Sequence, residues 1–358
     1  MKERVSKLCR LLQENGTEAF YVTSPENRRY MSGFTGSAGT LLFVRDSACL
    51  FTDFRYILQA GQETEGFQII EAAPGKAIDR MGEILKESNI AALSFESDYL
   101  TVAQYREIRD RLSWIDLIPA GGQVESLRLC KDDREVAFVR EAVRLADEAL
   151  TGVLPLVRPG QTEREVALQL ELFMRRHGAE RVAFDIIVAS GPRAALPHGT
   201  ASARVMREGD LVIMDFGAVW RGYSSDITRT VVLGQPDAHQ QEIYDIVLEA
   251  QQQGTRAIRA GIAANEVDAA ARGVIEWYGY GRYFGHGTGH GLGLNIHEAP
   301  RLSSTDGTVL LPGMIVTVEP GIYLPGWGGV RIEDTVMVEE NGCRVLTRSL
   351  KEQIFIRN

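Results

Sequence analysis

The 358-residue chain has only four cysteines, Cys9, Cys49, Cys130 and Cys343, and no two form a CxxC pair. That spacing excludes a disulfide framework and a cysteine-type zinc site, and predicts isolated thiols in a reducing compartment. No run of about 18 apolar residues occurs, which excludes a transmembrane helix. The start, Met1 to Arg4, is charged and leads into an amphipathic segment, so no signal peptide is expected and a cytoplasmic location is. Basic charge is in deficit: 39 Lys and Arg stand against 48 Asp and Glu, for a formal net charge of -9. A balance of that sign argues against nucleic acid and anionic membrane as partners. Histidine is scarce too, with six in all. What is present is ordinary for a folded protein: 44% hydrophobic and 24% charged residues.

The length suggests two domains. Through about residue 120, short apolar runs alternate with helical patterns. Helices are predicted over 3–14, 54–64 and 77–88, and strands over 19–23, 40–44, 48–52 and 91–95, which implies a small α/β domain. The turn-rich Pro119-Ala-Gly-Gly122 breaks the pattern, and a long helix is predicted from Lys131 to about Leu154. Domains are therefore expected over 1–124 and 125–358. In the second, a helix over 162–177 is marked by Thr162 with Glu165 as a capping box and by Gly178 as its stop. Two more helices are predicted over 237–260 and 265–278, and the remaining segments are β-rich. The fold class is α+β.

Those β segments contain a repeat. Gly209 is followed six residues later by Asp215 and eight later by Gly217; Gly313 is followed in the same way by Glu319 and Gly321. Each copy then turns and reaches a second acid with a Thr two residues on, Asp226 with Thr228 and Glu333 with Thr335. The repeat predicts two hairpins related by pseudo-symmetry on one shared sheet. A hairpin turning at Trp220-Arg221-Gly222 would set Asp215 opposite Asp226, with Cβ atoms about 4.5–5.5 Å apart. Two carboxylates so close, flanked by Leu211, Val212, Ile213 and Met214, need either a proton or a bridging cation. Glu319 and Glu333 would be near partners in the second hairpin.

Three histidines fall in the glycine-rich Gly285–Pro300 stretch as His286, His290 and His297; His198 lies in a Leu-Pro-His-Gly turn. His177 and His239 read as helix-surface residues. The glycines at 287, 289 and 291 lack the strand–helix frame of a phosphate loop, which excludes that reading. One histidine with four carboxylates makes a hard, oxygen-rich donor set that suits Mn²⁺ better than structural zinc. Two divalent cations about 3.5–4 Å apart would offset the four charges, acidify a water and polarise a carbonyl. Each acid taken alone reads equally well as a solvated residue near a turn; the set taken together does not.

In order along the chain, Met214-Asp-Phe-Gly217, Ser225-Asp-Ile-Thr-Arg229, Gly289-His-Gly-Leu-Gly293, His297-Glu-Ala-Pro300, Val318-Glu-Pro-Gly-Ile-Tyr323 and Gly329-Val-Arg-Ile-Glu-Asp334 resemble the pita-bread metallopeptidases. That family includes prolidase, aminopeptidase P, methionine aminopeptidase and creatinase. The likeness is strong over 130–358. It is weaker over the N-terminal part, where Ser32–Gly39 and Thr52–Tyr56 look like the Xaa-Pro branch with its creatinase-like domain. The resemblance implies a pita-bread catalytic domain with two divalent ions per subunit, Mn²⁺ expected and Co²⁺ or Zn²⁺ as alternatives. Asp215 and Asp226 would chelate one ion and bridge. His290 and Glu319 would bind the other, Glu319 also orienting or deprotonating the attacking water, and Glu333 would bridge. His198, His286 and His297 match substrate-side histidines, which contact the scissile carbonyl, the tetrahedral intermediate and the proline ring. Tyr323 and Arg331 match further catalytic and substrate-binding positions. The activity expected is hydrolysis of short peptides at the bond before proline by a homodimer, of the aminopeptidase P type; an Xaa-Pro dipeptidase is the alternative. A non-catalytic binding module should lack ligands, and a creatinase-like hydrolase works without metal, so the full ligand set argues against both.

Overall fold

The computed structural model describes residues 2–73, 75–351 and 355–356. It divides into two compact units, Met1–Arg128 and Leu129–Asn358. A short helix, Gln123–Arg128, runs across residues 124 and 125, where the sequence placed the boundary.

The first unit is built on a six-stranded mixed sheet in the order Gln68–Glu71, Ser47–Thr52, Thr40–Val44, Ala19–Val22, Ala92–Phe95, Asp116–Pro119. Tyr21, Leu42, Phe51, Leu85 and Leu93 meet in its core, so the apolar runs bury as the α/β pattern requires. Among the helices that escaped the sequence pattern are Pro25–Ser32 and Val102–Arg111. Both carry genuine start signals. Ser24 caps the first by accepting from the Asn27 amide at 3.3 Å, and Thr101 with Gln104 forms a capping box on the second.

In the second unit, helices Asp133–Val153 and Glu163–Arg176 precede the first hairpin, and Ala238–Ala257 and Ala264–Trp277 precede the second. The predicted cap on the second helix is present: the Glu165 amide donates to Thr162 Oγ1 at 3.2 Å, and Gly178 takes φ +112° just past the end. The two hairpins do not share one sheet, however. The first lies in a four-stranded sheet with Ile187–Ser190, and the second in a separate five-stranded sheet with Gly289–Gly291 and Glu298–Leu302.

Side-chain alternation explains how the two halves meet. Along Leu211–Phe216, the residues Val212, Met214 and Phe216 face a core with Leu145, Leu150 and Leu170. Leu211 and Ile213 face the opposite core, shared with Ile243, Val247, Ile322 and Val330 of the second half. Both faces are buried, which is why the strand reads as a continuous apolar run. Asp215 follows Leu211 and Ile213 onto the face that meets the second half. Thr228 and Thr230 from one hairpin, and Thr317 and Thr335 from the other, lie fully buried in that region.

Candidate metal centre

Both hairpins change sheets part-way along, and three of the four predicted acids sit at the changes. Asp226 falls between the strands Tyr223–Ser224 and Ile227–Leu233, Glu319 between Ile315–Val318 and Gly321–Leu324, and Glu333 between Gly328–Arg331 and Asp334–Glu339. At such a break a carboxylate leaves the ladder and points into the gap between sheets. Pairing in the first hairpin departs from expectation by two residues. Asp215 pairs with Thr228, and Asp226 lies two positions further on. A step of two keeps Asp226 on the same face as Thr228, so the acids still converge, diagonally. In the second hairpin Val318 pairs with Asp334, which carries Glu319 and Glu333 forward as opposed neighbours just beyond the ladder.

The two threonines of the repeat reach across to the other half. Thr228 Oγ1 donates to Glu333 Oε2 at 2.7 Å, and Thr335 Oγ1 donates to the Asp226 carbonyl at 2.8 Å. The sequence showed these threonines as part of the repeat but gave them no role. Their reciprocal bonds, with the Glu333 amide donating to the Thr228 carbonyl at 3.1 Å, tie the halves together at the acids.

His290 enters on the glycine-rich strand. A Cβ at Gly289 would lie 2.0 Å from the Thr317 carbonyl oxygen, so only glycine lets this strand sit so close. His290 Nδ1 lies 3.0 Å from the Gly291 carbonyl, which fixes the proton there and turns Nε2 towards the acids. Nε2 is 3.3 Å from Glu319 Oε1 and 3.7 Å from Asp226 Oδ2. Ligand atoms of Asp226, His290 and Glu333 all lie within 4.8 Å of one another.

A cation fits this set. Asp215 Oδ1, Asp226 Oδ1 and Glu333 Oε1 are buried with no hydrogen-bond partner, an arrangement that costs free energy unless something charged meets them. Burial, and then repulsion from Glu333 and Asp215, push the Asp226 carboxyl well above the ordinary range; burial and then Glu319 and Asp215 do the same to Glu333. Glu319 goes the other way: burial opposes its charge, but His290 outweighs that and holds it at about 2. Protons and cations compete for these oxygens, and a divalent ion supplies the charge the site lacks.

Arg331 braces the site from behind. Its side chain is 3% exposed, and it donates to Asp215 Oδ2 at 2.6 Å, to Tyr323 Oη at 2.8 Å, to the Pro197 carbonyl at 3.1 Å and to Thr228 Oγ1 at 3.1 Å. Burial raises the Tyr323 hydroxyl to about 12, so it keeps its proton and can donate to His286 Nε2, 2.9 Å away. His286 Nδ1 lies 2.8 Å from the Gly287 carbonyl, so both ring nitrogens are already engaged within the protein. Burial lowers its pKa and favours the neutral ring. His297 packs edge-on against His290 with ring centroids 4.4 Å apart, and its pKa is lowered by burial and then by His290. His198 reaches the rim because Ile187 pairs with Asp215 on one side and bridges Thr200 on the other.

These groups line a cavity of about 520 Å³ whose walls include His198, His286, His290, His297, Glu319 and Arg331. All ten predicted site residues therefore gather in one place, with Tyr323 just behind the wall. His177 and His239 lie elsewhere, His177 stacked on Phe173 and His239 beside Trp327. The cavity also brings in side chains the sequence did not suggest: Phe184, Asp185, Ile187, Ile296, Ser303 and Arg301. Arg301 stands out chemically, because its guanidinium forms no ion pair among the described residues. Its one sequence signal is a position four residues after His297.

A bent hairpin pair converging on buried, cation-seeking carboxylates defines a metallohydrolase centre, and the comparisons agree. Residues 137–340 match the metallopeptidase family M24, and residues 4–130 match the creatinase/prolidase N-terminal domain. The chain belongs to this family, the pita-bread metallo-exopeptidases, in its Xaa-Pro peptidase branch. It is 41% identical to an Xaa-Pro dipeptidase of Pyrococcus furiosus, over 98% of this chain and 99% of the relative. Its fold matches an Xaa-Pro dipeptidase from Bacillus anthracis with a TM-score of 0.96 and 48% identity, covering 99% of both chains. It also matches an X-Pro aminopeptidase from Thermotoga maritima with a TM-score of 0.91 and 37% identity, covering 98% of this chain and 99% of that one.

Proposed function

We propose that the protein is a dinuclear metal-dependent Xaa-Pro dipeptidase. Asp215, Asp226, His290, Glu319 and Glu333 hold two divalent ions, of which manganese best suits so hard a donor set. Ions held there would supply Lewis acidity for the scissile carbonyl and acidify an attacking water. Glu319, ionised and set between His290 and Thr317, orients that water or takes its proton. His198 and His297 line the cavity where they can contact the carbonyl and the proline ring. Arg331 and Tyr323 hold Asp215 and a neutral His286 in place. A bond before proline lacks an N–H, so the site needs no acceptor for one; apolar walls such as Phe184, Ile187 and Ile296 suit the ring instead. A homodimer in the cytoplasm completes the reading, which sedimentation of the purified protein checks.

The observation that carries the dipeptidase reading over the aminopeptidase P expectation is Arg301. A dipeptide ends in a free proline carboxylate, and an unpaired guanidinium in the cavity is the cation that end requires. The relatives named as dipeptidases favour the same choice, whereas the Thermotoga enzyme keeps aminopeptidase P activity as the second reading. The test compares Ala-Pro with Ala-Pro-Ala on manganese-loaded protein. Ala-Pro should be cleaved with a kcat/KM at least about tenfold higher, and Arg301→Met should raise its KM about 10- to 100-fold while changing Ala-Pro-Ala little, in keeping with the loss of a charge-assisted bond. Faster cleavage of the tripeptide would restore the aminopeptidase reading, and no cleavage of either with Mn²⁺ or Co²⁺ would sink both.

A further inference from the structure

An ion pair behind the cavity is absorbed by none of these roles. On the helix Ala264–Trp277, Asp268 and Arg272 stand one turn apart and face the glycine-rich loop. Asp268 is 1% exposed, and its Oδ1 and Oδ2 take Arg272 Nη2 and Nε at 2.9 and 2.8 Å. A single helical pair of this kind is ordinarily a surface feature worth little. Here the acid is buried and the arginine only 23% exposed, and the pair's further bonds run to the loop. Asp268 Oδ1 accepts from the Thr288 amide at 3.0 Å and its hydroxyl at 2.8 Å. Arg272 donates to the Phe284 carbonyl at 2.9 Å and to the His286 carbonyl at 2.7 Å, and its guanidinium lies 4.3 Å from the Phe284 ring centroid. That ring meets His286 edge-on at 5.0 Å. The Thr288 carbonyl in turn accepts from the Glu319 amide at 2.7 Å.

We infer that Asp268 and Arg272 are positioning residues that set His286 and Glu319 together, so that one helical ion pair aligns the histidine ring and the carboxylate through the loop backbone. The loop has few side chains to hold it: Gly285, Gly287 and Gly289 alternate with the functional residues, so its backbone must be fixed from outside. The clamp does this through three consecutive anchor points at residues 284, 286 and 288. Outer contacts of this type commonly change activity 10- to 100-fold without touching substrate.

This inference rests on the Xaa-Pro peptidase reading for its kinetic arm only. In Arg272→Met, kcat on Ala-Pro should fall at least about tenfold with KM within about twofold, and Arg272→Lys, which can keep the Asp268 pair but not the forked reach to two carbonyls, should fall between. In a His286→Ala background, Arg272→Met should cost clearly less than it does alone; equal losses in both backgrounds would mean that it does not act through His286, and would overturn the inference. Hydrogen exchange on the metal-free protein supplies the arm independent of activity. The Thr288 and Glu319 amides should exchange at least about tenfold faster in Arg272→Met, while the strands around Met214 keep their protection. Unchanged exchange at both amides overturns the clamp. Should Arg272→Met fail to fold because Asp268 is left buried and unpaired, Asp268→Asn with Arg272→Met carries the same measurements. A wild-type protein inactive on every Xaa-Pro substrate would sink the functional reading and leave the exchange result to judge the clamp.

Discussion

At the residue scale the centre is a problem in charge. Asp226 and Glu333 are driven towards protonation by burial and by each other's neighbours, whereas Glu319 is kept ionised by His290. Glu319 is thus an anion ready to orient water, whereas Asp226 and Glu333 wait for a cation. Glu319→Gln should therefore lower turnover by at least about a hundredfold, the scale of a lost general base, with little change in melting temperature. Turnover of Ala-Pro near the wild-type rate would contradict that role. The identity of these residues was legible in the sequence because chemistry at a metal site is written in residue types. Arg301 was not, since a lone arginine in a loop carries no signal until the cavity places it.

At the scale of elements, the decisive feature is that the hairpins change sheets at three of their four acids. Periodicity predicted the helices over 162–177 and 265–278 closely, because each has an apolar face and a legible start or stop. It missed Pro25–Ser32, which is short and rich in turn-forming residues, and read Pro119 as a break although it ends a strand. It also set Asp215 two places out of register, since a turn position fixes pairing only if the hairpin stays in one sheet. The crossed threonines are where this scale meets function. Thr228→Val keeps the shape but removes both the hydroxyl that donates to Glu333 and the acceptor for Arg331 Nε. Metal affinity measured by calorimetry should weaken about tenfold. An unchanged affinity would show that the bonds between the halves do not hold Glu333 in its binding position.

At the scale of the whole molecule, metal, protons and stability are linked. In the metal-free protein Asp226 and Glu333 titrate above their unfolded values. Their contribution to stability is present below the ordinary carboxylate range and declines as pH rises towards the raised folded values. Cations reverse that cost, and His290, whose pKa is raised by Glu319 against the pull of burial, must also lose its proton to bind one. The gain in melting temperature on adding Mn²⁺ should therefore widen between about pH 5 and about pH 8. A gain that is flat or narrows over that range would mean that the buried acids are not where the ions bind. No helix among the described residues is long and apolar enough to cross a membrane, in keeping with the absence of long apolar runs.

The sequence by itself singled out the candidate donors, the repeat that pairs them, and the family, because each depends on residue type and order along the chain. It also showed the four apolar residues before Asp215, Leu211 to Met214, which the structure buries. Only the tertiary structure decided that the halves occupy two sheets, that their threonines cross between them, that both ring nitrogens of His286 are engaged by Tyr323 and Gly287, that Arg301 lines the cavity, and that the Asp268–Arg272 pair bonds to the glycine-rich loop. The reason is physical. These contacts join residues tens to more than a hundred positions apart, or depend on which way a loop turns, and no local preference of the chain encodes either.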